Sequence, residues 1–256
     1  MRQEVQTKSM LIVVRYVLNV GIFLLLSYLL LQQYGRWICK AEKFKIREID
    51  IDGNEIVSKK EILKLSGIEK NGSIWNVCLD SVYTRLMKNP FIENVDVHKR
   101  LPDRIELRVI EKAPIALLNF QGKFYSIDSE GLVLPSRPGK LYDLPVISGG
   151  FKGGVSTGSR AGGKQVSNGL YFLTRVLREV PQLYDEISEV YVGDPEGLIV
   201  YTNSSVVPVI MGKDEFGWKI RCLDAIIKRL RSEGNLSNID YIDIRFKGQV
   251  IVGMKA

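Results

Sequence analysis

The spacing of apolar and polar positions changes character along the chain. Leu11 to Leu31 shows no alternation: it holds one charge, Arg15, and two small or amide polar groups, Asn19 and Ser27. A helix of about twenty residues covers roughly 30 Å of hydrocarbon, so this run predicts one membrane span. After a linker over residues 32–43, alternation begins. In Phe44–Asp52, Ile49 and Ile51 oppose Asp50 and Asp52, which predicts a strand closed by Gly53-Asn54. Ser58-Lys-Lys-Glu61 is a capping box, followed by Ile62, Leu63 and Leu65 before Gly67 stops the helix. Leu79–Lys88 places Leu79, Val82, Tyr83 and Leu86 on one helical face and ends at Asn89-Pro90. Ile92–Lys99 and Arg104–Glu111 alternate as strands around Leu101-Pro102-Asp103, the first with Val95 and Val97 on one side, the second with Ile105, Leu107 and Val109. The order is β-α-α-β-β over residues 44–112, one sheet face lying under two helices.

The pattern over residues 113–256 is strand-rich. Ala116–Phe120 and Lys123–Ile127 predict a hairpin around Gln121-Gly122, and Leu132–Leu134 follows the turn Asp128–Gly131. Gly149 to Gly163 holds seven glycines in fifteen residues. Ser167 is placed to cap a helix with Leu170, Leu173, Val176, Leu177 and Val180 on one face, ended by Pro181. Strands are predicted at Ile187–Val192, Leu198–Thr202 and Val206–Met211. Asp214 is placed to cap a second amphipathic helix burying Ile220, Leu223, Ile226, Ile227 and Leu230, with Gly234 as its stop. Tyr241–Phe246 and Gln249–Met254 predict a last hairpin around Lys247-Gly248. The fold class is α+β: a single N-terminal transmembrane helix at 11–31, a β-α-α-β-β domain, then a mostly β domain with two helices.

Charge refines the membrane reading. A cleaved signal peptide is the rival to an anchor, but the run is long and Gln32–Trp37 offers no small-x-small site, which favours an uncleaved span. Basic residues balance across it, with Arg2, Lys8 and Arg15 before and Arg36, Lys40 and Lys43 after. The short segment of residues 1–10 against the large remainder favours a cytoplasmic N-terminus and an exported C-terminal part. Tyr34 and Trp37 sit where an interfacial aromatic belt is expected. Residues 32–256 carry 33 of the 36 Lys/Arg and 28 of the 29 Asp/Glu, interspersed, with no basic stripe of the kind nucleic-acid binding needs. Cys39, Cys78 and Cys222 are odd in number and far apart, unlike a disulfide scaffold. Cys78 and Cys222 fall in apolar runs and read as core residues, and one pairing stays open.

Candidate chemistry is sparse. Gly158–Gln165, GSRAGGKQ, comes within one residue of the phosphate loop G-x-x-x-x-G-K-[ST], but Gln165 replaces the metal-binding hydroxyl and no apolar strand leads into it. His98 is the single histidine, on the polar side of a predicted strand, so a triad or a zinc site has no second ligand nearby. Asp128 with Glu130, and Asp240 with Asp243, read as surface charges. No catalytic residue, cofactor or metal is expected.

The order of parts carries more. EIDIDGNEIVSKKEI (Glu48–Ile62) resembles the opening of a POTRA domain, and KNPFIENVDVHKRLPDRIELRVIEKAPIALL (Lys88–Leu118) looks like the signature of the bacterial FtsQ/DivIB division family. YIDIRFKGQVIVG (Tyr241–Gly253) is similar to that family's last hairpin. The resemblance implies a non-enzymatic divisome scaffold in the inner membrane at the septum. Its exported domain would bind the coiled-coil proteins FtsB and FtsL, and its POTRA domain would recruit other divisome membrane proteins. It also implies strand addition at the last hairpin, which assigns Phe246, Gln249, Val250, Ile251, Val252 and Gly253 to the partner, with Phe246, Val250 and Val252 facing it. Asp243 and Arg245 either share in that contact or hold the hairpin. Another POTRA-bearing envelope-assembly factor is the alternative; a single such module without a barrel-like run of strands weighs against it.

Overall fold

The computed structural model describes residues 16, 18–34, 37, 41–136, 142–149, 154–195, 197–203, 205–233 and 239–255. Residues 18–34 form helix α1, whose apolar side chains, including Phe23, Leu25 and Leu31, are exposed. Among the described residues no helix is long and apolar enough to cross a membrane. Arg15 and the rest of 11–15, with residue 17, lie outside the described residues, as do Cys39 and Gly234. Two compact units follow from the chain's contacts, the first closing at Ile110 and the second opening at Glu111.

In the first unit, β1 (Glu48–Asp52), α2 (Lys59–Ser66), α3 (Leu79–Leu86), β2 (Ile92–Arg100) and β3 (Arg104–Glu111) follow the predicted order. The sheet order is β1-β3-β2, with β1 parallel to β3 in the register Ile49↔Ile105 and Ile51↔Leu107. Ile105, Leu107 and Val109 point inward against Ile62, Val82 and Leu86 of the helices, and all six are buried. Ser58 accepts the Glu61 amide at 3.2 Å, so the cap is formed as its spacing predicts. The opposite face carries Arg104 paired with Glu48 at 2.6 Å and Arg100 with Glu106 at 2.9 Å, exposed pairs that contribute little each.

The second unit is one mixed sheet of eight strands. These are β4 (Ala116–Phe120), β5 (Lys123–Ile127), β6 (Val146–Ser148), β7 (Ile187–Asp194), β8 (Gly197–Thr202), β9 (Ser205–Gly212), β10 (Ile239–Asp243) and β11 (Ile251–Met254), ordered β11-β10-β9-β8-β7-β6-β4-β5. Register aligns Leu118, Ile147, Val190, Val200, Val209 and Ile242 in one continuous row, every member buried. Helices α4 (Lys164–Glu179) and α6 (Phe216–Glu233) add Phe172, Leu173, Val176, Ile220 and Leu223 to the same core. Phe172 meets Phe216 edge to face, with centroids 5.5 Å apart.

Several expectations need correction. α4 begins at Lys164 after Gly163, so Ser167 lies inside it and its hydroxyl donates back to the Gly163 carbonyl. α6 begins at Phe216, which puts Asp214 too early to be its cap; the buried Lys219 ammonium instead ties the preceding turn by donating to the carbonyls of Met211 and Asp214. Leu177 is exposed and Phe172 takes its place in the core, while the Leu230 side chain lies outside the description. A four-residue helix α5 (Pro181–Tyr184) follows where Pro181 was expected only to end α4, because Pro at the first helical position starts a turn as readily as it stops one. Cys78 is exposed at the start of α3, not in the core, and Cys222 is half-buried; both are free thiols.

Two substitutions test this architecture. Gly53 has φ 81°, and a Cβ there would stand 2.1 Å from the Val109 carbonyl oxygen. Gly53→Ala should therefore lower protection of the first unit in hydrogen exchange while leaving the second unit unchanged. In the second unit, Tyr184 donates its hydroxyl to the Ile115 carbonyl, and burial, with a smaller push from Asp185, raises its pKa from 10.0 to about 12. The folded state holds that proton more tightly than the unfolded one, so the contribution is complete below pH about 10 and is lost as pH rises towards 12. The loss should be on the order of 2–3 kcal/mol, read from denaturant titrations between pH 8 and 12, and Tyr184→Phe should flatten that dependence.

Candidate protein-docking edge

His98 is exposed on β2. Among the described residues no group of three His, Cys, Asp or Glu side chains is arranged to hold a metal. The loop GSRAGGKQ spends its amides on chain carbonyls: Gly158 donates to Val133, Ser159 to Ser156, and Ala161 to Gly131. Arg160 of that loop pairs with Glu130 at 2.9 Å. The loop thus acts as a strand-like partner for Leu132–Leu134 and does not present a phosphate cradle.

Asp128, expected at the surface, is buried. Its carboxylate accepts the amides of Leu132 and Glu130 at 2.8 and 2.9 Å and meets Lys112 at 3.0 Å. Burial alone would lower the Lys112 pKa, but its hydrogen bonds to Asp128 and Glu130 outweigh that and leave it raised. The network pins the turn that carries Leu132–Leu134, and Val133 bridges Ile127 while the Leu134 amide donates to the Ser126 carbonyl. Part of the β5 margin is covered in this way.

The other margin is β11, which among the described residues pairs only with β10. The pair is antiparallel, with Tyr241↔Gly253, Ile242↔Val252 and Asp243↔Ile251. All six residues assigned to a partner gather here: Phe246, Gln249 and Val250 in the connecting turn, and Ile251, Val252 and Gly253 in the strand. Strand β11 starts at Ile251, later than predicted, and β10 ends at Asp243, although the Ile244 amide still donates to the Ile210 carbonyl of β9. Phe246 is 49% exposed, Val250 40%, Ile251 and Val252 41% each, and Met254 64%. Val252 stands at the end of the buried row, so its side chain lies on the core face, alternating with Ile251. Apolar exposure on both faces of one unpaired edge is a template for a further strand.

Asp243 is buried, contrary to its reading as a surface charge. It accepts the Arg245 amide at 3.0 Å and the Arg245 guanidinium at 2.7–3.1 Å, and that guanidinium lies 5.6 Å from the Phe246 ring centroid. The pair therefore orients the turn and the ring that follows it. Met254 and Tyr241 are exposed on the same hairpin outside the assigned set; Met254 closes the short apolar run, whereas Tyr241 reads as an ordinary strand aromatic.

Two comparisons bear on this architecture. The description "POTRA domain, FtsQ-type" matches residues 44–112, and "Cell division protein FtsQ/DivIB, C-terminal" matches residues 116–245. The chain belongs to the FtsQ/DivIB family of cell-division proteins. Similar relatives include a Cell division protein FtsQ of Syntrophotalea carbinolica, 32% identical over 87% of this chain and 78% of the relative. Another, from Geotalea daltonii, is 28% identical over 86% of this chain and 80% of its own length. Cell division protein DivIB of Staphylococcus aureus is 33% identical over 43% of this chain and 25% of its own. The match to the family's C-terminal domain ends at Arg245, so strand β11 lies just past it.

Removing the Asp243 carboxylate tests its role in the turn. Asp243→Ala removes the buried carboxylate that accepts both the Arg245 amide and its guanidinium and should cost about 2–3 kcal/mol. Hydrogen exchange should quicken over residues 244–254 before it quickens in β8.

Proposed function

We propose that this chain is a non-enzymatic scaffold of the division septum that takes a partner strand on the β11 edge. The partners are the coiled-coil division proteins FtsB and FtsL, engaged through the exported domain, while the POTRA domain recruits other divisome membrane proteins. The observation that carries the reading is the apolar β11 edge, unpaired among the described residues, in a chain of the FtsQ/DivIB family. Edge addition draws affinity from main-chain hydrogen bonds and specificity from alternate side chains, both of which this strand offers. The predominantly apolar run of residues 11–31 supports a single-pass anchor in the inner membrane, N-terminus cytoplasmic, and the exposed apolar surface of α1 agrees with it.

The test combines cell and solution measurements. Depletion should give filamentous cells, and normal septation without the protein would remove the scaffold role. In calorimetry with the exported part of the cell's FtsB-like protein, the full chain in lipid nanodiscs should bind. Ile251→Glu, which places a charge on the edge, should weaken binding at least tenfold while leaving the unfolding transition in place.

A further inference from the structure

Gly253 is the one glycine in β11, and its cause lies on the neighbouring strand. A Cβ built there would stand 2.3 Å from Tyr241 Cε1, 2.6 Å from Cδ1 and 2.8 Å from Cζ. Tyr241 and Gly253 are register partners, so the ring leans across the ladder and fills the place where a side chain at position 253 would be. Both lie on the sheet face opposite Ile242, which belongs to the buried row. The ring remains 37% exposed. Beyond Gly253 is the open margin, and a residue on a strand added there would have its Cβ about 4.5–5.5 Å from position 253. With no side chain at Gly253, that residue and the Tyr241 ring have only a glycine between them.

We propose that Tyr241 is a specificity-determining residue of the β11 edge: lying across Gly253, its ring receives a bulky apolar or aromatic side chain of the added strand at the position facing Gly253. This rests on the edge being the partner site. An aromatic or branched residue at that position closes the ring's outer flank against water, whereas a charged one desolvates against an apolar surface and a small one leaves a gap. On the other face, Val252 extends the aliphatic row and selects an aliphatic neighbour. The edge thus reads its partner as an extended segment with an aromatic or large residue on one face and aliphatic residues on the other.

The full chain in nanodiscs, titrated calorimetrically with the exported part of the FtsB-like protein, provides the test. Tyr241→Phe should bind like the wild type, since the ring is kept. Tyr241→Ala should weaken binding about tenfold, and Gly253→Ala, which forces the ring aside, should do the same. An alanine at the partner residue facing Gly253 should also cost about tenfold, and combining it with Tyr241→Ala should cost no more than either alone. If Tyr241→Ala also loses hydrogen-exchange protection in β11, the partner substitution decides, costing tenfold against wild type and nothing further against Gly253→Ala. Wild-type affinity in Tyr241→Ala, or losses that multiply in the combined variant, overturns the assignment. Where Ile251→Glu abolishes binding but Tyr241→Ala does not, the edge reading stands and this inference falls. Where the wild type itself does not bind, both fall.

Discussion

An open sheet ends in two rows of backbone amides and carbonyls that no neighbouring strand satisfies, and the second unit is organised around that constraint. Its two margins are treated differently. At β5 the chain folds Leu132–Leu134 against the last strand, and the buried Asp128 carboxylate, held by Lys112, keeps that cover in place. At β11, among the described residues, no segment does the same. A protein that invests a buried carboxylate in covering part of one margin and leaves the other apolar and open has an asymmetric surface, and the asymmetry supports the functional reading.

The core explains why the open margin is apolar. The row from Leu118 to Ile242 is continuous across the sheet, and β11 continues it with Val252. A polar residue there would interrupt the packing of the hairpin on the sheet. A valine there leaves an apolar side chain that the sheet alone does not cover. Opposite it, the Tyr241 ring shields the backbone at Gly253. Both faces of the edge strand are therefore determined by the strand inside it, and the Asp243–Arg245 fork sets where the connecting turn leaves the sheet.

Much of this architecture is legible in the pattern of residues. Alternation in β2 and β3, the Ser58 cap and the Gln121-Gly122 hairpin are local signals, and local structure follows them. Strand β6 has no such signal: it spans three residues and pairs in parallel with β4 and β7, both distant in sequence. The strand order is likewise a long-range property. Burial of Asp128 and Asp243 is invisible because each is defined by partners whose geometry, not spacing, closes around it. The residues proposed for docking stand out in the sequence as the short apolar run of Gln249–Gly253 and through its family resemblance. Tyr241 escaped because the reason for Gly253 is the ring across the ladder, which no neighbouring residue announces.

The position of β10 has a consequence for how the edge is built. It lies parallel to β9, with α6 as the crossover, and its register with β9 comprises Ile242↔Val209 and Asp243↔Ile210. Strand β11 rests on β10 in turn. The place of the hairpin therefore depends on the pairing of β10 with β9, a strand on the far side of α6. The β11 edge is thus built by non-local pairing: its backbone is held in place only through β10, which is itself set against β9 by residues some thirty positions earlier in the chain.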